Sequence, residues 1–209
     1  MKKLIPACLL ALTIALPARA YEPDATALAD ISAVEKYLNR LDSFKAGFEQ
    51  FVPGAPFSEG MFYLKRPGKF LWQYTKPTSH KLITSGGLIY YEDGETGQVT
   101  QVPRGGLSDL LGKKQIHLMS GDIKVIDHQR DEDTIGITVE LDESTADDDF
   151  DSSNRVQFIF SQKPFQLKQL VTSNQLGQDV VVSFHDIQEN PKLGDKIFAY
   201  TPPHYDEGF

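Results

Sequence analysis

The chain has 209 residues, and its 29 acidic residues outnumber 21 basic ones, which gives a formal net charge of −8 at pH 7. This negative charge disfavours nucleic acids and anionic lipid head groups as partners. The single cysteine, Cys8, cannot form a disulfide within the chain, so an apolar core and a hydrogen-bonded backbone must hold the fold.

Residues 1–20 are predicted to be a secretory signal peptide. The segment begins with Lys2 and Lys3, continues through an apolar stretch over residues 4–16 and ends with a small-residue motif at 18–20. Cleavage leaves residues 21–209, which we expect to form one domain. Because the signal carries three basic residues and no acid, its removal changes the net charge from −8 to −11. No later apolar run is long enough for a transmembrane helix, so we expect an exported protein that works in water.

The first element of the mature chain is a predicted helix. Asp24 can cap it, and one stripe of the helix is apolar because large aliphatic residues recur at three- and four-residue spacing. These residues are Leu28, Ile31, Val34, Leu38 and Leu41. From Phe44 the apolar period changes to two, which indicates a strand.

Short strand-like runs separated by turn signals make up most of the remaining chain. With the run that starts at Phe44 there are about eleven, spaced as antiparallel hairpins rather than as βαβ units. The others cover roughly 60–65, 69–74, 80–84, 88–92, 98–102, 123–128, 134–141, 155–161, 166–173 and 178–187. A second short helix is predicted at 107–111, and the acidic stretch 142–154 is interpreted as a solvated loop.

Two helices and about eleven strands favour a mainly β protein built on one strongly curved antiparallel sheet, an unclosed barrel. The interior of such a barrel is either filled or left as a cavity, and the sequence alone favours neither outcome. Aromatic residues are concentrated on alternating positions of the first three strands: Phe44, Phe48, Phe62, Phe70, Trp72 and Tyr74. The simplest interpretation is that they fill a core, and the alternative is that they line a cavity.

Three stretches of sequence carry a family resemblance. They are residues 44–50 (FKAGFEQ) after the first helix, residues 60–74 (GMFYLKRPGKFLWQY) and residues 198–203 (FAYTPP). With these stretches, of which the RPGxFxW pattern is the strongest, the mature chain resembles the LolA family of outer-membrane lipoprotein carriers over essentially its whole length. The resemblance implies a helical lid over the unclosed barrel and an apolar cavity for acyl chains.

The resemblance also implies a function. The protein would be a periplasmic carrier with no cofactor and no enzymatic activity, working as a monomer. It would take acylated lipoproteins from an ABC-type transporter in the inner membrane and pass them to a receptor at the outer membrane. The alternatives are a LolA-like paralogue that binds another lipid or a glycolipid, a lipid-sensing regulatory module and a periplasmic hydrolase, although no nucleophile and base are evident for the last.

Arg66 is the residue to which the resemblance gives a specific role, as a latch that fastens the lid in the empty state. The period of two places Arg66 on the face of Phe62 and Leu64, and its five donors suit free carbonyl groups at a loop or helix end. The alternative is that Arg66 and Lys65 flank a Pro-Gly turn in solvent. The expected cavity wall consists of Phe44, Phe48, Phe62, Leu64, Phe70, Trp72, Tyr90, Leu107, Leu110 and Leu111.

No metal site or catalytic motif is predicted. The histidines are widely spaced and form no HExxH pair: His80, His117, His128, His185 and His204. Asp147, Asp149 and Asp151 have the alternate spacing of a calcium loop, but Ser152 replaces its glycine and Phe158 its bidentate glutamate. The sequence also lacks a GxSxG elbow and a glycine-rich phosphate loop.

Overall fold

The structure is a computed structural model that describes residues 21–102, 106–120, 123–141, 155–173 and 178–200. Three predictions lie outside these residues: the signal peptide over 1–20, the solvated loop over 142–154 with its three alternating aspartates, and His204. Within the described parts of the chain, no helix has the length and hydropathy needed to cross a membrane.

The described residues form two α-helices, eleven β-strands and a short 3₁₀ helix at Asp195–Phe198. The helices are α1 (Ala25–Asn39) and α2 (Gly106–Gly112). The strands are β1 (Ser43–Phe51), β2 (Ser58–Lys65), β3 (Lys69–Lys76), β4 (Lys81–Ser85), β5 (Leu88–Glu92), β6 (Val99–Val102), β7 (Ile123–Arg130), β8 (Thr134–Leu141), β9 (Arg155–Gln162), β10 (Phe165–Ser173) and β11 (Asp179–Glu189).

All eleven strands belong to one antiparallel sheet in the order β6-β5-β4-β3-β2-β1-β11-β10-β9-β8-β7. β1 lies in the middle, where it pairs with β2 on one side and with β11 on the other. Among the described residues the edge strands β6 and β7 do not pair with each other, so the sheet is unclosed. The predicted mainly β fold with an unclosed antiparallel sheet and few helices is confirmed.

Helix α1 begins where its sequence predicts. Asp24 caps it, since the Asp24 carboxylate accepts a hydrogen bond from the amide of Ala27 at 2.8 Å. The buried side of α1 includes Ile31, Val34 and Leu38, as expected. Leu28 is exposed instead, because the buried stripe of this helix starts one residue earlier, at Ala27.

The sheet has two faces with different coverings, which we call inner and outer. Helices α1 and α2 cover the inner face, where their apolar side chains join those of the strands in one buried cluster. A smaller cluster lies on the outer face, where Phe198 from the C-terminal segment packs against Leu71 and Ile83. The inner face is therefore where the predicted site residues must be sought.

Candidate functional site

The inner face carries a cluster of aromatic rings from four neighbouring strands, which we call the aromatic cluster. It consists of Phe44, Phe48, Phe62, Trp72 and Phe184. The ring centroids of Phe62 and Trp72 lie 4.5 Å apart, and those of Phe48 and Trp72 lie 5.3 Å apart. Phe184 lies 5.6 Å from Phe44. The rings therefore form a continuous apolar surface in which each packs against its neighbours.

The register of the strands explains why these rings meet. Phe62 in β2 stands directly opposite Trp72 in β3, and both side chains point to the inner face. Phe48 in β1 stands opposite Gly60, and a Cβ atom at Gly60 would lie 2.8 Å from the Phe48 ring. Gly60 thus leaves the space that the Phe48 ring occupies.

The structure brings most of the predicted wall residues together on this face. Eight of them are buried in one cluster: Phe44, Phe48, Phe62, Leu64, Phe70, Trp72, Leu110 and Leu111. Leu107 of α2 is half-buried and packs against the same cluster. Phe184 of β11 belongs to this face as well, although sequence reasoning missed it; its signal is the alternation of Val182 and Phe184 along the last strand.

Tyr90 is the predicted wall residue that the structure does not bring to the inner face. It lies on the outer face, where it packs with the cluster around Leu71 and its ring is 5.5 Å from that of Tyr200. Its neighbours Ile89 and Tyr91 pack against the inner cluster instead. Because side chains alternate along a strand, β5 can direct Tyr90 or these two residues inward, but not all three.

The aromatic cluster is shielded from solvent. Trp72 is 8% exposed, and its indole Nε1 is buried with no hydrogen-bond partner among the described residues. Within the same residues no group of three or more His, Cys, Asp or Glu side chains could hold a metal ion. The apolar side chains of this face are suited to burying apolar groups.

Arg66 lies at the rim of this face, in the turn between β2 and β3. Its amide donates a hydrogen bond to the carbonyl of Asp42 at 2.8 Å. Its guanidinium Nε and Nη1 are buried and have no hydrogen-bond partner among the described residues. Burial lowers the pKa of Arg66, and the Asp42 carboxylate partly opposes this. These nitrogens are not in solvent, unlike those of an ordinary arginine beside a Pro-Gly turn.

Lys65 and Lys69, which flank the same turn, have a different environment. Both ammonium groups bind the Asp195 carboxylate, at 3.0 Å and 2.9 Å, and thereby hold the C-terminal segment against the outer face. Hydrogen bonds from the two lysines, followed by their charges, lower the pKa of Asp195 to about 2. Of the three basic side chains at this turn, Arg66 is therefore the one with buried nitrogen atoms, whereas Lys65 and Lys69 bind the exposed carboxylate of Asp195.

Polar contacts fasten α1 across the inner face. The buried carboxylate of Asp30 accepts hydrogen bonds from Arg130 Nη1 at 2.5 Å and pairs with His128 Nε2 at 2.9 Å, both on β7. Near the other end of α1, the Tyr37 hydroxyl donates to Glu189 Oε1 at 2.8 Å. Burial and this hydrogen bond raise the pKa of Tyr37. Both contacts lie in the half of the sheet that runs from β11 to β7, so these bonds attach α1 to that half.

The segment that follows α2 is attached to α1 by hydrogen bonds. The Asn39 side chain forms two hydrogen bonds of 2.8 Å with the backbone of Ile116, one through its amide nitrogen and one through its oxygen. The Glu35 carboxylate accepts a hydrogen bond from the amide of Leu118 at 2.9 Å. The two helices and this segment therefore form a connected cover over the aromatic cluster.

Comparison with known proteins gives a consistent family match. The family model described as outer membrane lipoprotein carrier protein LolA matches residues 39–201. An outer-membrane lipoprotein carrier protein of Legionella pneumophila (strain Lens) is 29% identical over 178 residues, which cover 81% of this chain and 84% of that protein. The corresponding protein of Methylococcus capsulatus is 26% identical over 185 residues, or 82% of this chain and 83% of that protein.

Solved structures give more distant matches. A LolA superfamily protein from Nitrosomonas europaea shares 13% sequence identity with this chain, with a TM-score of 0.44, and the match covers 81% of this chain and 97% of that one.

Proposed function

Because the chain belongs to the LolA family of outer membrane lipoprotein carriers, we propose that it binds the acyl chains of lipoproteins in the periplasm and delivers them to an outer-membrane receptor. Its cargo comes from an ABC-type transporter that releases lipoproteins from the inner membrane. The protein acts as a monomeric carrier and performs no chemistry. The observation that carries this proposal is the continuous aromatic cluster beneath a cover of two helices.

The cost of exposing an acyl chain to water explains why a carrier is needed. At about 0.8 kcal/mol per methylene, a chain of roughly fifteen methylenes costs on the order of 12 kcal/mol to expose. A lipoprotein with several such chains would not leave a membrane unaided at a useful rate. The inner face offers these chains an apolar environment comparable to the membrane interior.

We propose that Arg66 is the latch of the cover. Its buried Nε and Nη1 atoms need acceptors, because an unpaired buried donor costs about 1–3 kcal/mol. Carbonyl oxygens at the end of a helix or loop of the cover are suitable acceptors. The cover as it lies in this structure leaves both nitrogens unpaired, so the latch requires the cover to move closer to Arg66. Entry of cargo separates these groups, so the latch favours the empty protein and helps to expel cargo at the receptor.

Native mass spectrometry of the protein isolated gently from periplasm tests both proposals. The wild-type protein should carry acylated lipoproteins in a one-to-one complex. Arg66→Leu should retain more of this cargo and transfer it more slowly, because the empty state has lost its latch. Lys69→Leu is the matched control, since Lys69 belongs to the same turn but binds Asp195 on the outer side.

Each outcome separates the alternatives. If the protein contains phospholipid or glycolipid but no lipoprotein, it is a LolA-like paralogue that carries a different lipid, and the lipoprotein-carrier function is rejected. If neither form contains lipid, the aromatic cluster is an ordinary core and the carrier function is wrong. An Arg66→Leu variant that loads and transfers cargo at the wild-type rate would remove the latch while leaving the carrier intact.

A further inference from the structure

The end of β1 and its connection to β2 expose two phenylalanine rings at one end of the sheet. This segment, residues 51–57 (FVPGAPF), contains the last residue of β1 and the whole connection, has no charged residue, and is called the apolar tip. Phe51 is 56% exposed and Phe57 is 50% exposed, although most large apolar side chains of the described residues are buried. Two aromatic rings that a single loop places in water indicate a contact surface.

The apolar tip is conformationally restrained. The amide of Ala55 donates to the carbonyl of Val52 at 3.1 Å, which closes a turn over Pro53 and Gly54. Gly54 has a φ of +79°, as the third position of a type II turn requires. Because this turn and Pro56 limit the loop, its two rings lose little conformational freedom when they bind a surface.

A pocket of about 300 Å³ opens behind the apolar tip. Val52, Ala55 and Pro56 of the tip line one side, and Tyr74 and Tyr91 line the other. Both tyrosines pack against the inner cluster, and the Tyr74 ring lies 5.0 Å from that of Phe48. The pocket therefore adjoins the aromatic cluster.

The charges nearest to the apolar tip include two ion pairs and the exposed carboxylate of Glu49, two residues before the tip. Lys76 binds Glu59 at 2.9 Å, and Lys81 binds Glu92 at 2.8 Å. These lysines, together with the two tyrosines of the pocket, place amphipathic side chains one layer behind the exposed rings. Apolar rings in front and amphipathic side chains behind are typical of a surface that lies at a membrane interface.

We propose that the apolar tip inserts Phe51 and Phe57 into the surface of a phospholipid bilayer. A second protein is a poorer occupant, because a stable protein interface buries about 800 Å² on each partner and two rings supply only part of that area. The tip has no charge, so apolar burial drives the insertion and salt should not weaken it. The chain as a whole is acidic, which keeps the contact reversible on anionic membranes.

The pocket gives this contact a second consequence. An acyl chain that leaves the bilayer beside the apolar tip would enter the pocket, and movement of Tyr74, which lies between the pocket and Phe48, would let it reach the aromatic cluster without crossing bulk water. This acyl route rests on the proposed carrier function. The membrane contact does not, because it needs no lipoprotein, and the two can therefore be tested apart.

Flotation of the purified protein with phosphatidylcholine vesicles tests the membrane contact. We expect the wild-type protein to float with the vesicles at both low and high salt. The double variant Phe51→Ser/Phe57→Ser should bind at least about tenfold more weakly. Leu88→Ser is the matched control: Leu88 is 40% exposed but lies beside the hairpin between β4 and β5, at the opposite end of the sheet, and its loss should not change flotation.

Thermal unfolding of each variant verifies that the fold is unchanged, as expected for exposed side chains. The proposal is overturned if the wild-type protein does not float, in which case the tip is left to a protein partner. It is also overturned if the double variant floats as well as the wild type. Vesicle binding by a protein that carries no lipoprotein in the periplasm would retain the membrane contact and reject the carrier function.

Discussion

Replacing Phe62 by alanine should weaken the empty protein and, at the same time, strengthen its binding to an acyl chain. Phe62 is 2% exposed, and its ring centroid lies 4.5 Å from that of Trp72 and 5.9 Å from that of Phe184. Truncation of a phenylalanine in such packing lowers the free energy of unfolding by about 3–5 kcal/mol, because contacts are lost and a cavity remains.

The cargo-bound state should lose less stability than the empty state. If cargo takes the place of the inner side chains, an acyl chain can fill the space that the missing Phe62 ring leaves. If the bound acyl chain restores about half of the lost stability, roughly 2 kcal/mol, the variant should bind the acyl chain about 30-fold more tightly than the wild type, since 1.4 kcal/mol corresponds to a factor of ten. The substitution therefore separates a face that opens for cargo from a core that stays closed.

Denaturant unfolding followed by the fluorescence of Trp72, the one tryptophan of the chain, measures the stability. Titration with an acylated peptide measures the affinity. Phe198→Ala is the matched control, because Phe198 is also buried but packs on the outer face against Leu71 and Ile83. It should cost similar stability without any gain in affinity. A Phe62→Ala variant that binds the acylated peptide no more tightly than Phe198→Ala would refute the displacement of inner side chains by cargo.

Three further substitutions test the surroundings of the site. Asp30→Asn should lower the free energy of unfolding by about 2 kcal/mol, as measured by denaturant titration. This loss is smaller than that expected for a fully buried ion pair, because the Arg130 side chain is partly solvated. Asp195→Asn should lower the midpoint temperature of thermal unfolding at pH values above about 4. The folded protein depresses the pKa of Asp195 from 3.8 to about 2, so the difference between variant and wild type should disappear as the pH falls from about 4 to about 2. Gly60→Ala should prevent normal pairing of β2 with β3, since a Cβ atom would lie 2.0 Å from the carbonyl oxygen of Gln73, and circular dichroism would report the loss of sheet.

The elements of the fold could be predicted because their signals act over a few residues. Asp24 caps α1, and the period-two runs that begin at Phe44 become strands close to their expected bounds. Turn residues such as Gly68 and Gly86 adopt the positive φ values that hairpins need, +68° and +60°. These local preferences agree with the final sheet, so the sequence was sufficient for the strand count and for the antiparallel hairpins, whereas the pairing of β1 with β11 was not predicted.

The faces of the strands were harder to predict because they depend on distant segments. Leu71 and Ile83 are buried on the outer face only because the C-terminal segment places Phe198 over them, more than a hundred residues later in the chain. Tyr90 packs in the same outer cluster, so the presence of an aromatic residue in β5 did not predict which face of the sheet its side chain occupies. Burial of Asp30 likewise depends on Arg130, whose position beside α1 no local pattern indicates.

If the protein is the carrier proposed above, its filled inner face would let it both accept and release an apolar cargo. In the empty protein the rings of Phe44, Phe62 and Trp72 already bury one another, so cargo binding exchanges one set of apolar contacts for another. Only the difference in free energy between the two sets of contacts contributes to the affinity for cargo. This difference is far smaller than the cost of about 12 kcal/mol for exposing an acyl chain to water. A permanently open cavity would retain most of that value and release cargo slowly. In the proposed carrier, the mutual packing of the aromatic cluster would therefore favour transfer to a receptor that binds the acyl chains more tightly.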